Sequence, residues 1–241
     1  MSDTKKIPSL VSWAGYIAIT LMVLIPLAVL TVRSGAWQQG LLLYAIACLG
    51  SAVTMLITLV LMAIPRYAPW RSAIRNRVLF TLPGTLLLLS LLGGRGDYPP
   101  IHDITTDLEN PPSFVTAEKI RGQSSNSLEL DPAVMEAQQA AYPDLQTLVT
   151  SEPIEKAFAR AAATADALGW EIYHQDLNSG IIESVDTTAI MGFKDDIVIR
   201  LRTNADGTLL DLRSVSRVGV SDLGANAERI RRFLESYKQQ D

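Results

Sequence analysis

The chain is poor in the groups that do most enzyme chemistry. It has one cysteine and two histidines in 241 residues. The cysteine, Cys48, falls inside a long apolar run, so residues 97–241 have no thiol. That excludes a disulfide, a thiol nucleophile and a cysteine metal site from the C-terminal part. At about 145 residues, this part is long enough to be held by an apolar core alone. His102 and His174 would need a third metal ligand that the sequence does not offer. There is no GxSxG elbow, no GxxxxGKS/T loop and no GxGxxG turn. No basic stretch is interleaved with aromatics and the C-terminal part is acidic, so nucleic acid is not an expected partner. No cofactor or metal is expected, and there is no internal repeat or low-complexity tract.

Long apolar runs are what the chain does have, and all lie in its first 96 residues. They are Val11–Val32, Leu41–Ile64 and the shorter Val78–Leu92. A bilayer core needs about 20 apolar residues per helix. The first two runs meet this without a charge. The third is somewhat short, and Pro83-Gly84 is expected to interrupt it; Gly93-Gly94 could extend it. Three transmembrane helices are expected, over about 11–32, 41–64 and 78–94. Trp13, Trp37, Trp70, Tyr44 and Tyr67 lie at or near the run ends, where a ring can be half apolar and half wet. A cleaved leader fits less well, because the first run is longer than a leader core and TVRSGAW is a poor cleavage site. The third run leaves a re-entrant or interfacial placement open, which would return the C-terminal domain to the cytoplasm.

Charge divides the chain at the same place. Residues 1–96 carry eight Lys/Arg against one acid, a net of +7, and residues 97–241 carry 13 against 24, a net of −11. Lys5, Lys6, Arg66, Arg71, Arg75 and Arg77 fall on one side of three spans, while only Arg33 and Arg95 fall on the other. Cytoplasmic loops are the Lys/Arg-rich ones. The expected arrangement is therefore a multi-pass inner-membrane protein with a cytoplasmic N-terminus and a periplasmic domain over 97–241.

Within that domain, residues 93–133 read as irregular, with Pro99-Pro100 and Pro111-Pro112 holding the chain extended. Pro132–Ala141 reads as a short helix. Ser151 is a plausible N-cap for a helix carrying Ile154, Ala157, Phe158, Ala161, Ala162, Ala165 and Leu168 on one stripe, closed by Gly169. Four strands are expected at Trp170–Leu177, Ile181–Thr187, Asp195–Arg202 and Thr208–Arg217, with turns at Asn178–Gly180 and Asn204–Gly207. A last helix starts near Ser221-Asp222, with Leu223, Ala227, Ile230, Phe233, Leu234 and Tyr237 inward. The simplest packing is α+β: a two-layer domain with a four-stranded antiparallel sheet and two packed helices on one face.

PPIHDITTDLENPP at 99–112, YPDL at 142–145, GFKDDIVIRLR at 192–202 and DLRSVSRVGVSDLGANAERIRRFL at 211–234 together resemble the domain-of-unknown-function 1499 family. The likeness covers roughly residues 97–238. The apolar runs resemble the anchors that some bacterial members carry. The resemblance implies a domain boundary and no particular activity.

Several residue groups are candidates for function. Arg200, Arg202, Arg213 and Arg217 fall by alternation on the sheet face opposite the apolar one. Such a cluster can take a carboxylate or phosphate in bidentate fashion. Two other readings stay open. In one, the arginines ladder with Asp196, Asp211 and Glu183; in the other, the 97–115 segment covers the face and pairs Asp103, Asp107 and Glu109 with them. Ser221, Asp222 and Asn226, with Ser214 and Ser216 before them, lie at a strand-to-helix turn; they form either a weak anion site or a helix cap. Asp195 and Asp196 should point to opposite faces. His102, Asp195 and Asp196 are the acid/base candidates if the chain is an enzyme. The expected partners are the lipid bilayer and an envelope protein or anionic small ligand. The main expectation is a binding or interaction module. A membrane-tethered enzyme is one alternative, and a structural subunit that packs through Ala45, Ala47 and Gly50-Ser51 is another.

Overall fold

Each apolar run forms one unbroken helix. A computed structural model describes residues 6–93, 96–205 and 207–239. The chain divides into two units, Met1–Arg95 and Gly96–Asp241. In the first, α1 (Ser9–Arg33), α2 (Trp37–Ala63) and α3 (Arg71–Gly93) have 25, 27 and 23 residues. At about 1.5 Å per residue even α3 reaches about 35 Å, against a hydrocarbon core of about 30 Å. All three are long and apolar enough to cross a membrane, so this is a multi-pass membrane protein. A short 3-10 turn, Pro65–Trp70, joins α2 to α3.

Pro83-Gly84 does not interrupt α3. A proline in a spanning helix is tolerated where a neighbouring helix packs close, and Gly84 permits that approach. A Cβ on it would lie 2.4 Å from Ser51 Oγ of α2. Ala47 and Ser51 are buried among these helices, Gly50 lies under Leu21, and Ala45 is exposed. The small residues of α2 are thus used mainly within the three-helix unit. The expected extension of the third span through Gly94 lies outside the described residues.

The second unit corrects the expected fold in its counts, though its class is α+β. The sheet has six strands instead of four, and four helices accompany it instead of two. In chain order the elements are β1 (Asp103–Thr105), α4 (Ala117–Ile120), α5 (Pro132–Ala141), β2 (Leu148–Thr150), α6 (Ile154–Ala167), β3 (Glu171–Asp176), β4 (Ile181–Thr187), β5 (Lys194–Asn204), β6 (Gly207–Ser216) and α7 (Ala225–Gln239). All pairings are antiparallel, in the order β1-β6-β5-β4-β3. β1 and β2 share the outer edge of β6, one against Arg213–Val215 and the other against Thr208–Leu210. Both are three residues long, too short for an alternating pattern to show.

One face of the sheet carries the apolar core. Ile182, Ile197, Ile199, Leu201, Leu210 and Leu212 meet Ala157, Phe158, Ala161 and Ala165 of α6, and Ala227, Ile230, Phe233 and Tyr237 of α7. The rings of Trp170 and Phe233 stack at 5.3 Å. The α6 alanines let that helix approach the strands closely. Its N-cap is Pro153 without a side-chain bond, so Ser151 does not cap it. Asp131 caps α5, accepting from Ala133 N at 2.9 Å. The β3–β4 turn needs Gly180, which has φ +66° and where a Cβ would fall 2.2 Å from the Leu201 carbonyl oxygen. Asp206, in the expected turn before Gly207, lies outside the described residues.

Candidate functional site

The face of the sheet opposite α6 and α7 is polar but not open to water. Strand alternation puts Asp196, Arg200 and Arg202 of β5 there, with Asp211 and Arg213 of β6; Arg200 lies directly across from Asp211. Asp196, Asp211 and Glu183 are completely buried, and Arg213 and Asp103 nearly so. Buried charges at this density require matched partners. The 106–131 segment supplies several of them, running as a strap over the face.

Each sequence-predicted arginine is paired. Arg213 grips Asp103 with two nitrogens, at 2.9 and 2.6 Å, and donates to the Leu128 carbonyl of the strap at 2.8 Å. Phe114 of the strap lies against the Arg213 guanidinium, 5.6 Å from ring centre to carbon. Arg200 Nη2 donates to Asp211 at 2.9 Å, Asp107 at 3.0 Å and the Asn110 carbonyl at 2.8 Å. Arg202 Nη2 reaches the same two carboxylates at 2.8 and 3.1 Å. Arg217 holds Asp196 bidentately, at 3.0 and 2.7 Å. Asp103 of β1 and Asp107 of the strap therefore do meet the arginines, while Glu109 is exposed. Glu183 pairs with no arginine of this set. Its carboxylate accepts from the backbone N–H groups of Val115, Thr116 and Ala117 in the strap.

Two residues of this face escaped sequence reasoning. Arg121 ends the α4 turn of the strap and sets its Nε 3.0 Å from Asp196, but off the hydrogen-bond angle, so the contact is an ion pair only. Burial lowers the Arg121 pKa below the ordinary guanidinium range, and the Asp196 charge only partly opposes this. For Arg217 burial is again the largest influence and lowers the value, but the Asp196 hydrogen bonds together with the charges of Asp196, Tyr173 and Asp195 outweigh it, and the pKa is raised. Tyr173 sits at a β-bulge in β3. Burial first, then the Asp196 and Glu183 carboxylates, push its phenol far above the usual tyrosine range. Nothing in an irregular strap or a bulge signals such positions from sequence.

Several donors on this face are left without an acceptor. Arg121 Nε and Nη1, Arg200 Nε, Arg202 Nε and the Tyr173 hydroxyl are buried without a hydrogen-bond partner. A buried donor left unmade costs about 1–3 kcal/mol. Five such groups lie on this one face.

A second buried polar group lies on the helix side. Asn226 joins Ser214 at 2.7 Å, Ser216 at 2.9 Å and the His102 carbonyl at 3.0 Å. Arg229, three residues on, pairs with Asp186 at 2.8 Å and with Asp195. Asp195 and Asp196 thus point to opposite faces, Asp195 to Arg229 and Asp196 to Arg217 and Arg121. Asp222 caps α7: its carboxylate accepts from Gly224 N at 2.8 Å and Asn226 N at 2.9 Å. Those are the N–H groups a bound anion would have used. Ser221 Oγ accepts from Leu223 N at 3.3 Å. His102 is half-buried, with Nδ1 3.4 Å from the Val220 carbonyl oxygen. The structure therefore does not bring His102, Asp195 and Asp196 together. Among the described residues, no three His, Cys, Asp or Glu side chains group closely enough to hold a metal ion.

Three spanning helices, followed by an α+β domain with a strapped, charge-matched sheet face, define a membrane-anchored domain protein. The chain belongs to the family described as protein of unknown function (DUF1499), whose pattern matches residues 103–236, from the first residue of β1 into the last turns of α7. A comparison with curated proteins finds no match.

Proposed function

We propose that the chain is a membrane-tethered binding module whose polar sheet face takes an anionic envelope ligand or an acidic group of a protein partner. The buried donors left without an acceptor on that face carry this reading. Arg202, with a side chain 38% exposed, is the most accessible of the arginines, and Arg200 and Arg217 stand beside the same face. Arg213 is locked to Asp103 and positions the strap. Asp107 occupies the place of the guest: a single oxygen, Oδ2, bridges Arg200 and Arg202 from an irregular segment. A carboxylate or phosphate that displaced Asp107 would meet both guanidinium groups and their spare Nε donors, in the bidentate geometry arginine favours.

The Lys/Arg asymmetry supports an inner-membrane orientation with the N-terminus in the cytoplasm and the domain in the periplasm. That limits the guest to envelope components.

The test is thermal unfolding of the full chain in detergent with inorganic phosphate, sulfate or citrate, beside Arg202→Gln and Asp107→Asn variants. At about 100 times the dissociation constant a ligand adds about 2.7 kcal/mol of stability. For a domain of this size that raises the midpoint by roughly 5–10 °C. The expected result is a rise with one anion, lost in Arg202→Gln and larger in Asp107→Asn. Equal midpoints across the panel in all three proteins would remove the anionic reading.

A further inference from the structure

One end of the sheet, where β1 and β5 begin and β4 and β6 finish, carries an apolar rim. Among the described residues of Gly96–Asp241, the three most exposed large apolar side chains are all there. They are Val220 at 75%, Ile190 at 70% and Leu223 at 65%. Ile190 lies in the β4–β5 hairpin, and Val220 and Leu223 lie in the β6–α7 loop. Tyr98, 45% exposed, joins them, with its ring 2.7 Å from where a Gly224 Cβ would lie. Lys194 is exposed at the same end.

The rim is built to hold its shape. Asp222 N donates to the Ile101 carbonyl at 3.0 Å, Ser221 Oγ to the Pro99 carbonyl at 3.4 Å, and Asn126 Nδ2 to the Gly219 carbonyl at 2.8 Å. Leu223 has φ +54°, the one non-glycine residue with positive φ among those described. Leucine is disfavoured there by its Cβ, and Leu223 is left mostly exposed.

The covalent chain says what lies near. The loop is bonded to Pro99, six residues after Gly93, where α3 ends. Six residues reach at most about 22 Å. The residues bonded to this loop therefore follow the third span after only a short stretch of chain, and a spanning helix ends where apolar side chains meet the headgroup zone. The domain carries a net of −11, so attraction to anionic lipid does not hold it there, whereas apolar burial can.

We infer that Val220, Leu223, Ile190 and Tyr98 form a surface that inserts into the interface of the bilayer holding the chain's own helices. This rests on α3 reaching the bilayer surface near Gly93. It is independent of the arginine face and of which side of the membrane the domain occupies.

Spin-label accessibility of the full chain in phosphatidylethanolamine–phosphatidylglycerol nanodiscs tests it. In a Cys48→Ala background, labels go at Val220→Cys, Leu223→Cys or Ile190→Cys, with Leu177→Cys, in the turn at the opposite sheet end, as the reference. The expected result is a ratio of oxygen to nickel-chelate collisions several-fold higher at the rim than at Leu177→Cys. Two results overturn the inference. One is a rim ratio equal to the reference. The other is shielding from both agents, which would mean that a protein surface or a second copy covers the rim.

Discussion

Arg213 donates to Asp103 through two nitrogens, and both side chains are almost fully buried. Arg213→Ala would strand that carboxylate away from water, which costs about 3–5 kcal/mol. Arg202 shares its carboxylates with Arg200 and is 38% exposed, so Arg202→Ala is expected to cost about 1 kcal/mol or less. Denaturant unfolding followed by fluorescence of the buried Trp170 separates the two, and equal losses would contradict this division. Tyr173 gives a pH signature. Its phenol keeps its proton in the folded domain above the ordinary value because burial and two carboxylates oppose the phenolate. Below about pH 10 both states hold the proton; above it the unfolded chain loses the proton first. Stability is therefore complete below pH 10 and falls as pH rises from there toward the folded value, by at most about 1.4 kcal/mol per unit. Tyr173→Phe should flatten that fall, and unchanged slopes would show that the hydroxyl is not held neutral.

Among the elements, the hairpins were the most legible. Period-two alternation and turn residues place β3 to β6 to within a few residues, and Pro132–Ala141 is a helix at its expected bounds. Gly180→Ala should test the β3–β4 turn. The substitution adds strain at φ +66° and a clash with the Leu201 carbonyl, a cost of about 1–3 kcal/mol visible as a lower unfolding midpoint. A midpoint unchanged within error would mean that the turn relaxes freely. β1, β2 and the strap were not legible as structure, because their order comes from distant partners. β1 reads as strand only once β6 lies beside it, and the strap is ordered by single side chains such as Glu183 and Arg213. The arginines were legible as one face of the sheet. Their neutralisation by Asp103 and Asp107 was one of three open readings, since a proline-rich segment carries no register that fixes where its acids fall.

For the whole molecule, the chain divides into two units between Arg95 and Gly96. Three crossings would put the two ends on opposite sides of the bilayer. An alkaline phosphatase fused at the C-terminus should be active and a fluorescent protein fused there dark. The reverse pattern would place the domain in the cytoplasm and restrict its guests to cytoplasmic ones.

The bond from Glu183 to Val115, Thr116 and Ala117 also has a consequence in time. The strap leaves the ribosome well before β4 and the carboxylate that orders it. β1 waits longer still: Ile104 pairs with Ser214, 110 residues later. Such long-range pairings fold slowly, because the chain must close a large loop before any contact repays it. The membrane helices can therefore be inserted while the domain behind them is still unfinished. β6 joins β1, β2 and β5 into one sheet, so a nascent chain stopped before β6 should leave β1 and the strap without their partners and open to proteases and chaperones.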